Sequence, residues 1–300
     1  MIRPPYLKKG DKIALTCPAR WVETADIETA LALFKSWGFE VVLGDTVGKR
    51  DHQYGGSDDE RRADFQHLLD DTAIKAIIAA RGGYGTVRMF DDLNFDSYMN
   101  HPKWIIGFSD ITFLHAQQNF KLGVESMHAI MPLTIPGNSE ASILSLKQAL
   151  FGHKNTYQID THPLNRTGNA EAMLVGGNLS ILYAMLGTSS RLNFENCIIF
   201  IEDLDEYLYH IDRMMIALKR AGKLKQLRGL IVGGMSEMKD NTIPFGKTAE
   251  EIIREHVEEY QYPVCFNFPA GHIADNRTLI LGRKALLKVE NNFVSFEQNA

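Results

Sequence analysis

The segment Gly107-Phe108-Ser109-Asp110 carries the sharpest chemical signal in the chain. A serine on a strand-to-helix turn exposes its hydroxyl above a sheet, and the next N–H can face an oxyanion. The pattern departs from Gly-x-Ser-x-Gly, because Ile111 stands where the second glycine would be. Residue type alone leaves two readings of Ser109, a nucleophile or a helix cap. Arg81-Gly82-Gly83-Tyr84-Gly85 also follows an expected strand. It fits neither G-x-G-x-x-G nor a P-loop. It reads as an anion cradle at a helix start, as the source of a second oxyanion N–H, or as a tight turn.

Glu202, Asp203, Asp205 and Glu206 place four carboxylates in five residues. That density suggests acid–base or metal chemistry, or simply helix capping by Asp203 or Asp205 with Glu206 near the positive helix end. Glu202 is expected to end its strand, too far from the next helix to cap it, which suits an orienting carboxylate. Of ten histidines, most fall on expected helices or polar loops and read as surface residues. His272 stands apart, in a loop where Gly271 leaves room beside the ring. An imidazole there can act as a general base near neutral pH. Ser109, Glu202 and His272 run in the order nucleophile, acid, base, as in α/β-hydrolases.

These residues need strand ends to position them. The spacing predicts strands over 12–16, 40–43, 74–80 and 104–107, with helices over 26–37, 58–70, 111–120 and 139–151, and one starting near Thr86. Strand–helix alternation of this kind implies a parallel sheet covered on both faces. The polar stretch 153–168, with Pro163, marks a boundary. We expect an N-terminal domain over 1–155, a linker over 156–167 and a C-terminal domain over 168–300. The second half reads as a Gly176-Gly177 turn, a helix from Asn178, a strand over 197–201 and a helix over 206–220. A strand over 229–232, a helix over 248–260 and strands over 278–281, 285–290 and 293–296 follow. Met214, Met215 and Ile216 read as helix core.

Composition sets the outer limits. The 300 residues are 45% hydrophobic and 23% charged, ordinary globular proportions that exclude wholesale disorder. With 32 basic and 37 acidic residues and no dense Lys/Arg block, no nucleic-acid partner is expected. The longest apolar run, Ile181 to Leu186, is too short to span a bilayer. Cys17, Cys197 and Cys265 form no C-x-x-C pair. They read as small buried hydrophobes of a reducing compartment, so a cytoplasmic protein without membrane association is expected.

Arg81–Gly85, Gly107-Phe108-Ser109-Asp110-Ile111-Thr112, Gly176-Gly177-Asn178-Leu179, Glu202-Asp203, Ile211-Asp212-Arg213-Met214 and Gly271-His272, in this order, resemble the LD-carboxypeptidases (muramoyltetrapeptide carboxypeptidases). The resemblance covers nearly the whole chain. It implies a serine peptidase with a Ser109–Glu202–His272 triad and the backbone N–H groups of Gly83 and Asp110 as oxyanion donors. It also implies an α/β fold: an N-terminal flavodoxin- or amidotransferase-like parallel-sheet domain and a smaller, strand-rich C-terminal α/β domain, with the site between them. The implied substrate is a murein tetrapeptide, cut between meso-diaminopimelate and terminal D-alanine during cell-wall recycling. No metal or organic cofactor is implied, and a homodimer is suggested by analogy. An exopeptidase must hold a free carboxylate, for which Arg81, Arg213 and Arg277 are candidates.

Three other readings compete. The microcin-C immunity hydrolases share the triad but cleave peptidyl-nucleotides. A non-catalytic α/β module would use the glycine loop for a phosphate. A glycosidase would pair Glu202 with Asp205.

Overall fold

Near-continuous apolar runs make the first half of the chain a sheet buried on both faces. In the computed structural model, which describes residues 1–190 and 192–299, strands β1 (Lys12–Thr16), β2 (Glu40–Leu43), β3 (Ile74–Ala79), β4 (Trp104–Gly107) and β5 (Ser126–His128) are all parallel. Helices α1 (Glu28–Ser36), α2 (Asp58–Asp70), α3 (Asp96–Asn100), α4 (Thr112–Ala116) and α5 (Glu140–Leu150) connect or cover them. Ser57 opens α2 with a capping box to Glu60.

The second sheet is mixed. Its strands are β6 (Asn155–Ile159), β7 (Gly168–Asn178), β8 (Cys197–Leu204), β9 (Gly229–Ser236), β10 (Val264–Cys265), β12 (Lys284–Val289) and β13 (Val294–Gln298). They run in the order β10-β9-β8-β7-β12-β13-β6, parallel from β10 to β7 and antiparallel beyond. Helices α6 (Leu179–Ala184), α7 (Leu208–Arg220) and α8 (Ala249–His256) accompany it. Strand β11 (Leu279–Leu281) leaves this sheet and pairs antiparallel with β5, at the edge of the first. The α/β class is therefore as expected, with two sheets sharing one hydrophobic cluster that runs from Ile105 and Phe113 to Ile199 and Ile211. No helix among the described residues is long and apolar enough to cross a membrane.

Several local expectations are corrected. Within the expected linker 156–167, residues up to Ile159 belong to edge strand β6, paired with β13. Its polar residues alternate with buried Asn155 and Tyr157, as on any half-solvated strand. Gly176 and Gly177 form the end of β7 rather than a turn. A Cβ on Gly176 would lie 1.9 Å from the Phe200 carbonyl oxygen, so close strand approach, not chain reversal, demands glycine there. After Gly85 the chain forms short 3₁₀ turns at 86–88 and 90–92, and Asn94 Oδ1 then accepts the Asp96 N–H at 2.7 Å where α3 begins. Met214 and Met215 are core, whereas Ile216 is exposed.

A buried ion pair fastens β11 to the first sheet. Arg283 donates from Nη2 (2.5 Å) and Nε (3.1 Å) to Glu125 Oε2, with both side chains almost fully enclosed. Removing one partner of such a pair strands the other charge. Glu125→Ala should therefore cost about 3 kcal/mol in urea unfolding, while Glu125→Met combined with Arg283→Met recovers most of it. A double variant as unstable as the single one would show that packing, not charge, sets the cost.

Candidate active site

Strand β4 ends at Gly107, and the chain reverses through Ser109 at φ +64°. A left-handed serine is a backbone outlier of the kind functional turns retain. The short 3₁₀ turn 109–111 is capped by Phe108 with no side-chain bond, so Ser109 does not serve as the cap. Its side chain is half-buried on a cleft of about 400 Å³ that is also lined by Arg20, Arg81, Gly82, Gly83, Asp203 and His272.

The glycine loop rides directly on this serine. A Cβ on Gly82 would lie 2.9 Å from Ser109 Cβ and 3.2 Å from its Oγ. The far end of the loop is fixed twice. Fully buried Arg61 donates from Nη1 to the carbonyls of Pro18 (2.7 Å) and Gly85 (2.8 Å). Asp110, next to Ser109, accepts the Thr86 N–H at 2.8 Å, and burial raises its carboxyl above the usual range. The serine turn and the loop are thus one hydrogen-bonded unit. Gly83 lines the cleft with an N–H that donates to no backbone carbonyl among the described residues. No long helix follows the loop, which removes the helix-terminus argument for a phosphate cradle.

Glu202 and His272 come together behind the cleft. Strand β8 runs on to Leu204, so Glu202 lies inside it rather than at its end, fully buried. Its Oε2 lies 2.6 Å from His272 Nδ1 and also accepts the His272 backbone N–H at 3.2 Å. Gly271, at φ +108°, makes this approach feasible, since a Cβ there would meet Glu202 Cβ at 2.7 Å. Burial works against both charges. For Glu202, the attraction and hydrogen bond of His272 outweigh it, and the carboxyl sits below its ordinary value. For His272, Glu202 likewise outweighs burial and raises the imidazole. The ring edge packs against Phe108 at 4.8 Å, beside Ser109. Ser109 and His272 face one cleft without a mutual hydrogen bond, a contact that unliganded sites commonly complete only with substrate.

The remaining carboxylates are each engaged. Asp203 accepts from Asn178 Nδ2 (3.0 Å) and the N–H groups of Ser180 (2.8 Å) and Leu204 (2.9 Å). Burial, then Glu202, push it up to about 7. Asp205 pairs with Lys239 at 2.6 Å and Glu206 with His210 at 2.5 Å. With Glu202 enclosed behind His272 and Asp205 bound to Lys239, the glycosidase dyad is not assembled.

Two residues escaped sequence reading. His128 is fully buried between Phe108 and Phe200, and burial drives it down to about 3, so it stays neutral facing Glu202. The apolar run Ala129–Met131 after it is the signal that it, unlike a surface histidine, lies inside. Arg20 lies on the cleft, whereas Arg213 stacks on Tyr209 and Arg277 pairs with Asp275.

Comparison with known proteins places the chain in a family. Residues 13–129 match the LD-carboxypeptidase N-terminal domain and residues 171–287 the LD-carboxypeptidase C-terminal domain. A Bacillus subtilis protein named as a probable murein peptide carboxypeptidase is 34% identical, covering 95% of this chain and 91% of its own. The crystal structure of muramoyltetrapeptide carboxypeptidase from Oxalobacter formigenes superposes with a TM-score of 0.87 at 27% identity, over 96% of this chain and 99% of its own. The microcin self-immunity protein MccF, at 22% identity and a TM-score of 0.86 over 97% of this chain and 96% of its own, shares the fold. Over both halves, therefore, the chain belongs to the LD-carboxypeptidase family.

Proposed function

We propose that this protein is a serine-type LD-carboxypeptidase that removes terminal D-alanine from murein tetrapeptides, cutting after meso-diaminopimelate. The observation that carries the reading is the 2.6 Å Glu202–His272 contact opening onto the cleft that holds left-handed Ser109. Relatives named for murein peptides support the substrate class. Three free, buried cysteines favour a reducing, cytoplasmic setting.

In this reading His272 Nε2 takes the proton of the Ser109 hydroxyl as its oxygen attacks the scissile carbonyl. Glu202 holds Nδ1–H and stabilises the imidazolium without taking its proton. The N–H groups of Gly83 and Asp110 receive the tetrahedral oxyanion, where one such donor is worth roughly 3–4 kcal/mol. His272 then protonates the departing amine of D-alanine, and water, deprotonated by the same imidazole, releases the acyl group from Ser109.

Incubation with L-Ala-γ-D-Glu-meso-diaminopimelate-D-Ala should release D-alanine, followed by mass spectrometry. Ser109→Ala should lose at least about 10³-fold in kcat. No release from free or sugar-linked tetrapeptide would refute the substrate, and turnover of a peptidyl-adenylate alone would move the reading to the immunity-type hydrolases.

The pH profile follows from the shifted imidazole. The base must be neutral, so kcat/KM should fall as pH drops through a pKa above the ordinary histidine value of about 6.5. Asp203→Asn should keep that limb and move it down only slightly, because Asp203 adds less to the rise than Glu202 does, while Glu202→Gln should move it further down and lower kcat by about 10⁴-fold. A limb that follows Asp203 instead would remove His272 from the base role.

A further inference from the structure

Arg20 and Arg81 sit together on the cleft rim beside Gly83. The Arg20 N–H bonds the Gly82 carbonyl at 3.4 Å, and the Arg20 stem lies where a Gly83 side chain would be, 2.5 Å from that Cβ position to Cδ. Arg81 donates from Nη1 to the Trp21 carbonyl at 3.3 Å, which turns it back along the same segment. Neither guanidinium forms a salt bridge among the described residues. Asp26, which faces Arg81, is engaged with the Glu23 N–H at 2.9 Å. Burial, and then the charge of Arg20, hold the Arg81 guanidinium below its ordinary value.

The opposite rim behaves differently. Asp203, Asp205 and Glu206 already have partners in Asn178, Lys239 and His210. One wall therefore carries two adjacent guanidiniums that make no salt bridge, while the carboxylates of the other already hold hydrogen-bond or ion-pair partners. An anion with two oxygens relieves such a pair, and planar guanidinium groups match a carboxylate bidentately.

We infer that Arg20 and Arg81 form the subsite for the free α-carboxylate of the residue to be released. Position supports the assignment. In a peptide cut one residue from its end, only the amide nitrogen and one Cα separate that carboxylate from the scissile carbonyl. The carboxylate must therefore lie next to the oxyanion donors, and Arg20 packs on Gly83 itself. The inference rests on the proposed exopeptidase reading for the identity of the ligand.

Binding separates the two ideas. In a Ser109→Ala background, calorimetry would compare the tetrapeptide acid with the same peptide ending in D-alaninamide. The amide should bind about 10- to 100-fold more weakly, the range expected for charged hydrogen bonds. Arg20→Gln and Arg81→Gln should each weaken the acid by a comparable factor and leave the amide within about twofold. Melting temperatures of both variants would expose a folding defect. Equal binding of acid and amide, equal losses on both ligands, or no binding of the acid would overturn the subsite. Selective binding of the acid with no D-alanine release by the wild type would instead refute the proposed function and leave the subsite standing.

Discussion

A fully enclosed carboxylate at Glu202 is the constraint around which the site is built. Taking such a charge out of water costs several kcal/mol unless it is paired and hydrogen-bonded. Here both the ring nitrogen and the backbone N–H of His272 converge on one oxygen. That convergence requires the chain to pass so close to β8 that residue 271 has no side chain. It also requires no competing cation below, and burial supplies this by keeping His128 neutral. Asp203, the next residue, then carries the proton more readily, so two adjacent acids are shifted in opposite directions by their surroundings.

The proposed catalytic geometry is a property of the seam between two sheets. Ser109 belongs to the first sheet and Glu202 to the second, so neither sheet contains a site alone. Thr112, one turn after Ser109, accepts the Asn178 N–H at 3.0 Å and occupies the space a side chain on Gly177 would take. Strand β11 then carries the chain from the His272 loop into the first sheet, where it meets β5 and the Glu125–Arg283 pair. The shared core cluster crosses the same boundary. Because these ties surround the cleft, the relative position of Ser109 and His272 is set by packing rather than by loop chance.

What could be read from the chain follows from how local each signal is. Buried strands such as β3 and β4 announce themselves by apolar runs, and Ser109, Gly271 and His272 by their punctuation around strand ends. Glycines are ambiguous, since one residue type serves both reversal and close approach, and Gly176-Gly177 was of the second kind. Edge strand β6 reads as a linker in the sequence because only alternate residues are buried. The length of β8 was invisible, because its end is acidic and its acids are satisfied by partners far along the chain, among them Asn178. Of His128 the sequence shows only the apolar run that follows it, and Arg20 depends wholly on tertiary neighbours that no spacing rule reaches.

The asymmetry of the cleft walls adds a physical distinction that a Ser–Glu–His set cannot make. A serine, an imidazole and an acid suit acyl transfer in general and do not choose an endopeptidase from an exopeptidase. The choice lies in what stands beyond the oxyanion donors. A wall of neutral or apolar groups would let a polypeptide run through, whereas at the proposed subsite a continuing chain would cover two guanidiniums and bring them no carboxylate. In that reading the same two charges are satisfied when the chain stops one residue past the scissile bond. Specificity of this kind works by penalising the wrong ligand as much as by rewarding the right one. In the proposed reading, the packing of Arg20 against the glycine loop has a reason: a group that reads the chain end must sit beside the group that receives the oxyanion.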